Sequence, residues 1–198
     1  MGNSRLKQNI YLIMNSLKPF LPAILVVLLT ANLLFAQNTG KQSCKIEFYL
    51  LKSELPNVDK TTDIRAKFDA TPADLEEKAF INDVEIISCT VNKDTTRLFR
   101  ILFKVSDSAS KRIKDIDRPL CCGKQFAVVV NGKICFTGYF WNILSSFGCD
   151  WITAFTGRNS IMLLPKLPSH GDNPDANDPR KNKLLLNCLA STNRLIKD

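Results

Sequence analysis

One long apolar run stands near the start of the chain, and short ones fill the rest. Residues 19–36, PFLPAILVVLLTANLLFA, carry no charge and no polar face, so they do not read as a helix packed by one side against a core. From residue 45 onward the apolar residues come in brief stretches bounded by polar segments, the rhythm of strands and short helices. Lys45–Leu51, KIEFYLL, predicts a first strand. Residues 52–63, with Pro56 and Asn57, predict a loop, and Arg65–Phe68 a short strand. Thr71-Pro72 predicts the start of a short helix through Lys78, with Thr71 as N-cap and Pro72, which has no amide hydrogen to leave unpaired, in the first position.

Two further strands, Glu85–Val91 and Arg97–Val105, are expected to pair through a connection at Lys93, Asp94, Thr95 and Thr96. In the second of them Leu98, Ile101, Phe103 and Val105 are apolar and Arg100 and Lys104 lie opposite; the irregularity at Ile101, Leu102 and Phe103 points to a bulge. Ser106 caps a helix over 107–117, in which Ala109, Ile113 and Ile116 recur at helical spacing and Arg118-Pro119 is the stop. The strongest local signal follows. QFAVVVNGKICFTGYFW places two apolar runs around Asn131-Gly132, the pair that suits a type I′ turn because both central residues need positive φ. A short helical turn is expected over 141–147, then strands at 150–155 and 160–164 joined by Gly157, Arg158 and Asn159. Residues 165–182 hold Pro165, Pro168, Pro174 and Pro179 and read as an irregular arm; Lys183–Ile196 reads as a terminal helix with Leu184, Leu185, Cys188, Leu189 and Leu195 on one side. No internal repeat is present. The order of elements predicts an α+β fold, an antiparallel sheet with helices on one face.

Charge assigns the first segment its role. Arg5, Lys7 and Lys18 precede the apolar run and no acid occurs before residue 37. A basic region, an apolar stretch and a small residue, Ala36, make a secretory signal. Residues 1–36 are thus a signal peptide or, in the alternative, an uncleaved N-terminal anchor, since eighteen residues just cross a hydrocarbon core of about 30 Å. Either way the chain is exported, to the periplasm or the extracellular space, with residues 44–164 as the α+β domain and 165–198 as arm and helix. Lipidation is excluded at both ends of this segment: Cys44 follows Lys41-Gln42-Ser43, and Leu6 stands where a myristoylated start needs Ser or Thr. Contact with membrane is expected only through the N-terminal segment.

Of the +8 net charge of the 198 residues, residues 37–198 carry +5, with no Lys/Arg run. That mild, scattered excess argues against nucleic acid as a partner. Lys111, Arg112 and Lys114 form a local basic cluster and, like Glu76-Glu77, read as solvated surface.

All seven cysteines lie beyond residue 43. In an exported domain they predict disulfides, and the odd number leaves at least one thiol unpaired within the chain. Cys89 and Cys135 sit inside apolar runs and read as core residues; Cys44, Cys121, Cys122, Cys149 and Cys188, near element ends, are the disulfide candidates, with connectivity open. Adjacent Cys121-Cys122 is not a C-x-x-C redox motif, and cysteine spacing with a single histidine does not suit zinc.

The chemistry inventory is otherwise sparse. His170 lies in an irregular Ser-His-Gly-Asp stretch and reads as a loop residue. Residues 172–178 are rich in Asp and Asn, but Pro174 at the third position and Lys183 at the twelfth break the calcium-loop pattern. No nucleotide-binding, nucleophile-elbow or metalloprotease motif occurs. We therefore expect no catalytic site, metal or cofactor. The aromatic group from Phe136 to Phe155 should be mostly core; Tyr139, Trp141, Phe147 and Trp151, around the Gly138 and Gly148 turns, are the candidate contact surface.

Leu98–Phe140 resembles a known family. LFRILFKV, a helix led by Ser106-Asp107-Ser108-Ala109-Ser110, and Gly123-Lys124 leading into FAVVVNGKICFTGYF are similar to the head of the first periplasmic domain of the SecD/SecDF export subunit. Phe126, Ala127, Val128, Val129, Val130, Asn131, Gly132, Lys133 and Ile134 match that family's Phe-Ala-Ile-Val-Leu-Asp-Gly-Lys-Val hairpin position by position, and FINDVEIISCTV resembles the strand before it. The similarity covers about residues 81–140, extending at most to 164. It implies a ferredoxin-like α+β fold and contact with emerging polypeptide. The chain has no multi-span channel, so the translocase activity does not carry over; Thr137-Gly138 replaces the family's Ala-Pro, and the cysteines and terminal arm are additions. The resemblance implies a stand-alone head acting as an exported, non-catalytic protein- or peptide-binding module with its partner in the cell envelope. A membrane-anchored structural or accessory envelope protein is the alternative, and a thiol oxidoreductase the third reading.

Overall fold

The Asn131-Gly132 hairpin forms at the heart of the molecule. Asn131 and Gly132 have φ of 49° and 76°, and they join β4 (Lys124–Val130) to β5 (Lys133–Phe140). A computed structural model describes residues 44–59, 65–93, 99–166 and 178–197 of the chain. The N-terminal apolar segment, His170, most of the 172–178 stretch and the Asp94–Thr96 connection lie outside the described residues. Cys44–Asp198 is one compact unit.

The other elements are β1 (Ile46–Leu50), β2 (Ile86–Lys93), β3 (Phe99–Val105), α1 (Asp107–Lys114), β6 (Thr153–Gly157), β7 (Ser160–Leu164), α2 (Lys183–Ser191) and β8 (Leu195–Lys197). All eight strands lie in one sheet, in the order β1-β4-β5-β6-β7-β3-β2-β8. The expected mixture of sheet and helix is present, but the sheet is mixed rather than antiparallel, because β5–β6 and β2–β8 pair in parallel. The reason lies in two connections. Residues 141–152 form a crossover long enough to return the chain in the same direction. At the C-terminal side, α2 stops early: the Thr192 hydroxyl donates to the Cys188 carbonyl at 2.8 Å, Asn193 turns the backbone left-handed at φ 56°, and Leu195–Lys197 runs beside β2 in place of the expected last helical turn.

Smaller departures have equally local causes. The bulge expected in β3 lies instead in β2, between Ile86 and Ser88; β3 itself alternates regularly, with Phe99, Ile101, Phe103 and Val105 buried. The helix expected after Thr71 is a single 3₁₀ turn, Pro72–Asp74, with Thr71 at the N-cap and Pro72 first as predicted, and Asp74 accepting from the Thr71 amide at 2.7 Å. It goes no further because the Glu76 amide donates to the Leu50 carbonyl and the Lys52 amide to that of Asp74, which holds the chain extended along the edge of β1. Arg65–Phe68 makes one bridge, Arg65 to Cys149, rather than a strand, and residues 141–147 form no helix.

The sheet is covered unequally. On one face Ile46, Phe48, Phe103, Phe126, Val128, Phe140 and Ile161 meet Ala109 and Ile113 of α1 and Leu185, Cys188 and Leu189 of α2. Phe48, Phe103, Phe126 and Phe140 stack in a chain of rings, with centroids 4.6–5.8 Å apart. On the other face Ala127, Val129, Tyr139 and Trp141 pack against Leu51, Phe68, Leu75 and Cys149. The β4 run FAVVV is therefore buried on both sides, which is why it is continuously apolar.

Three polar devices tie the C-terminal part to the sheet. Cys44, just before β1, forms a disulfide with Cys188 of α2, with Cα atoms 5.4 Å apart. Arg194 pairs with Asp83 at 2.7 Å and donates to the Cys44 carbonyl. Arg180, fully buried, pairs with Asp178 at 2.6 Å and donates to the carbonyls of Phe99 and Leu163. Among the described residues, no helix is long and apolar enough to cross a membrane.

Candidate contact surface

The crossover from β5 to β6 carries three strongly exposed apolar side chains within five residues. Ile143 is 81% exposed, Leu144 80% and Phe147 57%. Asn and Ser shape this loop by folding their side chains onto the backbone, as they do in turns. The Leu144 amide donates to Asn142 Oδ1 at 3.0 Å, and the Phe147 amide to Ser145 Oγ at 3.1 Å. The loop is then fastened to the turn that leads into β4. Asn142 Nδ2 donates to the Arg118 carbonyl at 3.1 Å, and the Ser145 hydroxyl to that of Leu120. That turn carries a further exposed apolar residue, Leu120, at 55%.

Gly123 makes this docking possible. Its φ is 63°, and a Cβ there would stand 2.9 Å from both the Phe140 carbonyl oxygen and the Trp141 ring. Arg118 steadies the turn from the other side, donating to Thr156 Oγ1 at 2.9 Å and to the Ile113 carbonyl at the end of α1.

Of the aromatic residues singled out from sequence, Phe147 is on this surface. Tyr139 and Trp141 are buried in the second core layer; the Tyr139 hydroxyl donates to the Ala66 carbonyl at 3.0 Å, and burial pushes its pKa up to about 12. Trp151 is half-buried, its indole N–H donating to Thr137 Oγ1 at 3.1 Å with Lys67 over the ring. The reason is one of layering: the C-terminal end of β5 faces the covering segment 66–68, not solvent. Leu120, Ile143 and Leu144 were missed by sequence reasoning because they are aliphatic; the available signal was an Ile-Leu pair inside a segment of Asn, Ser and Gly.

Of the disulfide candidates, Cys44 and Cys188 are bonded, while Cys121, Cys122 and Cys149 are thiols, as are Cys89 and Cys135. Burial pushes Cys89 and Cys149 up to about 12 and Cys135 to about 11. Exposed Cys121 is also raised, chiefly by its hydrogen bond with Cys122, and Cys122 lies against the Arg65 guanidinium. An upward shift removes thiolate, the nucleophilic form, so these four do not have the environment of an attacking thiol. Among the described residues no group of three His, Cys, Asp or Glu side chains is placed to hold a metal ion.

Comparison with known proteins adds a likeness of architecture. No family model matches the chain, and no curated protein does. A crystal structure of SecDF in its super-membrane-facing form matches 76% of this chain and 19% of its own, at 11% identity and a TM-score of 0.43. The chain resembles SecDF. A second structure, of SecDF as a membrane component that enhances protein export, matches 76% of this chain and 64% of its own at the same identity and TM-score. The chain thus spans less than two thirds of each SecDF chain, and the SecD/SecDF resemblance expected from residues 81–140 has its counterpart among solved structures.

Proposed function

We propose that this protein is an exported, non-catalytic module that binds polypeptide through the face formed by Leu120, Ile143, Leu144 and Phe147. The observation that carries this reading is the fastening of two loops, by Ser145 to Leu120 and Asn142 to Arg118, that between them carry four exposed apolar side chains. Grouped apolar exposure of this kind marks interaction sites, whereas singly scattered residues do not. Phe147 supplies the aromatic anchor that dominates such contacts. Export is supported by the basic and apolar segment before residue 37 and by a disulfide in the folded unit, a bond that persists in oxidising compartments. We assign residues 1–36 as the signal and place the mature start at Gln37.

The test is a fluorescence-anisotropy titration of a labelled, permanently unfolded carboxymethylated polypeptide against the wild type and an Ile143→Asp/Phe147→Ser variant. Binding weakened at least about tenfold, about 1.4 kcal/mol, with unchanged thermal unfolding supports the reading. Equal binding by both proteins, or none by the wild type, overturns it.

A further inference from the structure

Among the described residues, the face of β6, β7, β3, β2 and β8 turned away from the helices carries an apolar stripe. The strand register aligns Ile196 of β8 with Thr90 of β2, Thr90 with Leu102 of β3, Leu102 with Met162 of β7, and Met162 with Phe155 of β6. Paired residues point to the same side of a sheet, so these five side chains form one row across five strands. Ile196 is 48% exposed and Leu102 41%, and Thr90, Met162 and Phe155 are half-buried. At neighbouring strands about 4.8 Å apart, the row is about 19 Å long.

The solvent face of a sheet ordinarily alternates to polar residues. Here the adjacent row does so: Ser88, Lys104 and Ser160 are in register. The Ile196–Phe155 row does not, apart from Thr90. Its inner end is also continuous with the folded core, because Phe155 packs against the second hydrophobic layer. Over β4 and β5 that layer is completed by the chain itself, through Leu55, Phe68 and Ala70. The charges indicate what completes it elsewhere. β2, β3, β6, β7 and β8 contain no Asp or Glu, and exposed Lys104 stands two positions after Leu102 on the same side of β3.

From this we infer that the β6-β7-β3-β2-β8 face is a second docking surface, shaped for an amphipathic segment of a partner polypeptide that lays an apolar stripe on Leu102 and Ile196 and places carboxylates beside it. It shares no residue with the loop surface of Leu120 and Phe147, and neither proposal depends on the other.

The test uses two labelled 14-residue amphipathic peptides with the same Leu stripe, one flanked by Glu and one by Lys, titrated against the folded protein. A surface charge contact at Lys104 predicts up to about fivefold tighter binding of the Glu peptide at low salt. Leu102→Ser is expected to weaken it severalfold. Lys104→Glu, an exposed change that leaves packing alone, is expected to abolish or reverse the charge preference, while Phe147→Ser leaves affinity unchanged. The proposal is overturned if neither peptide binds, if both bind equally, or if Phe147→Ser weakens binding and Leu102→Ser does not. Sedimentation showing a dimer that Leu102→Ser dissolves overturns it too, by assigning the face to a second copy.

Discussion

The Ser145 hydroxyl donates to the carbonyl of Leu120, one of two bonds, with that of Asn142 to Arg118, that fasten the crossover loop to the turn leading into β4. Ser145→Ala removes the bond and leaves the apolar side chains in place. The change is expected to cost about 1 kcal/mol or less, because the site is exposed, but amide exchange over residues 142–148 is expected to accelerate. Hydrogen-exchange mass spectrometry measures the second effect separately from the first.

Gly123 and Gly132 both have positive φ and predict different outcomes. At Gly132 an added Cβ would meet nothing within 4 Å, so Ala costs only the backbone conformation, about 1 kcal/mol. At Gly123 the same change adds a collision with the Phe140 carbonyl and Trp141, and about 2–4 kcal/mol is expected. Urea unfolding of the two variants side by side checks the difference.

Arg180 and Asp178 are buried together, with side chains 0% and 6% exposed. Arg180→Met leaves the Asp178 carboxylate without its partner and the carbonyls of Phe99 and Leu163 without a donor. A loss of about 3–5 kcal/mol is expected, and exchange protection of β3 and β7 should fall first.

Reduction of the Cys44–Cys188 bond, or Cys188→Ser, frees a loop with a sequence separation of 144. About 2–5 kcal/mol of stability should be lost. Thiol titration should find five thiols in the unfolded, unreduced protein, with Cys121 reacting fastest in the native state because it is the exposed one.

Glu85 links the fold to acid. Burial alone would raise its carboxyl, but Arg112, the Asn82 amide and the Ser108 hydroxyl overcome that and hold it at about 2, below its ordinary 4.5. The stability it contributes is therefore complete above pH 4.5 and is lost as pH falls toward about 2. Thermal unfolding measured across that window should decline, and Glu85→Gln should flatten the decline.

How far the chain could be read beforehand follows the range of the interactions. Asn131-Gly132, the alternation of β3 and the Ser106 cap are local, and each element they announce is present; the Ser106 side chain does accept from the Ala109 amide. What local pattern could not show is pairing at a distance. Leu195 and Ile196 fit the apolar side of a helix, yet Asn193 and the open edge of β2 convert them to a strand. Phe68 lies in a stretch that looks like a strand and instead serves as a lid over Tyr139, at 5.1 Å between rings. Of the four residues of the proposed contact face, Phe147 alone was among those singled out from the sequence. Aromatic density marks hydrophobic area without saying which side of a layer it faces, and two of the four candidates lie inside.

The place of β8 at the margin of the sheet, beside β2, bears on how the molecule is made. Cys89 meets Leu195 only after every other strand has been delivered. Until then β2 has a bare border, and such borders recruit stray strands. Pairings this remote in sequence also form slowly. The border of β2 is thus covered late, by a three-residue strand, and stays open to other partners until then.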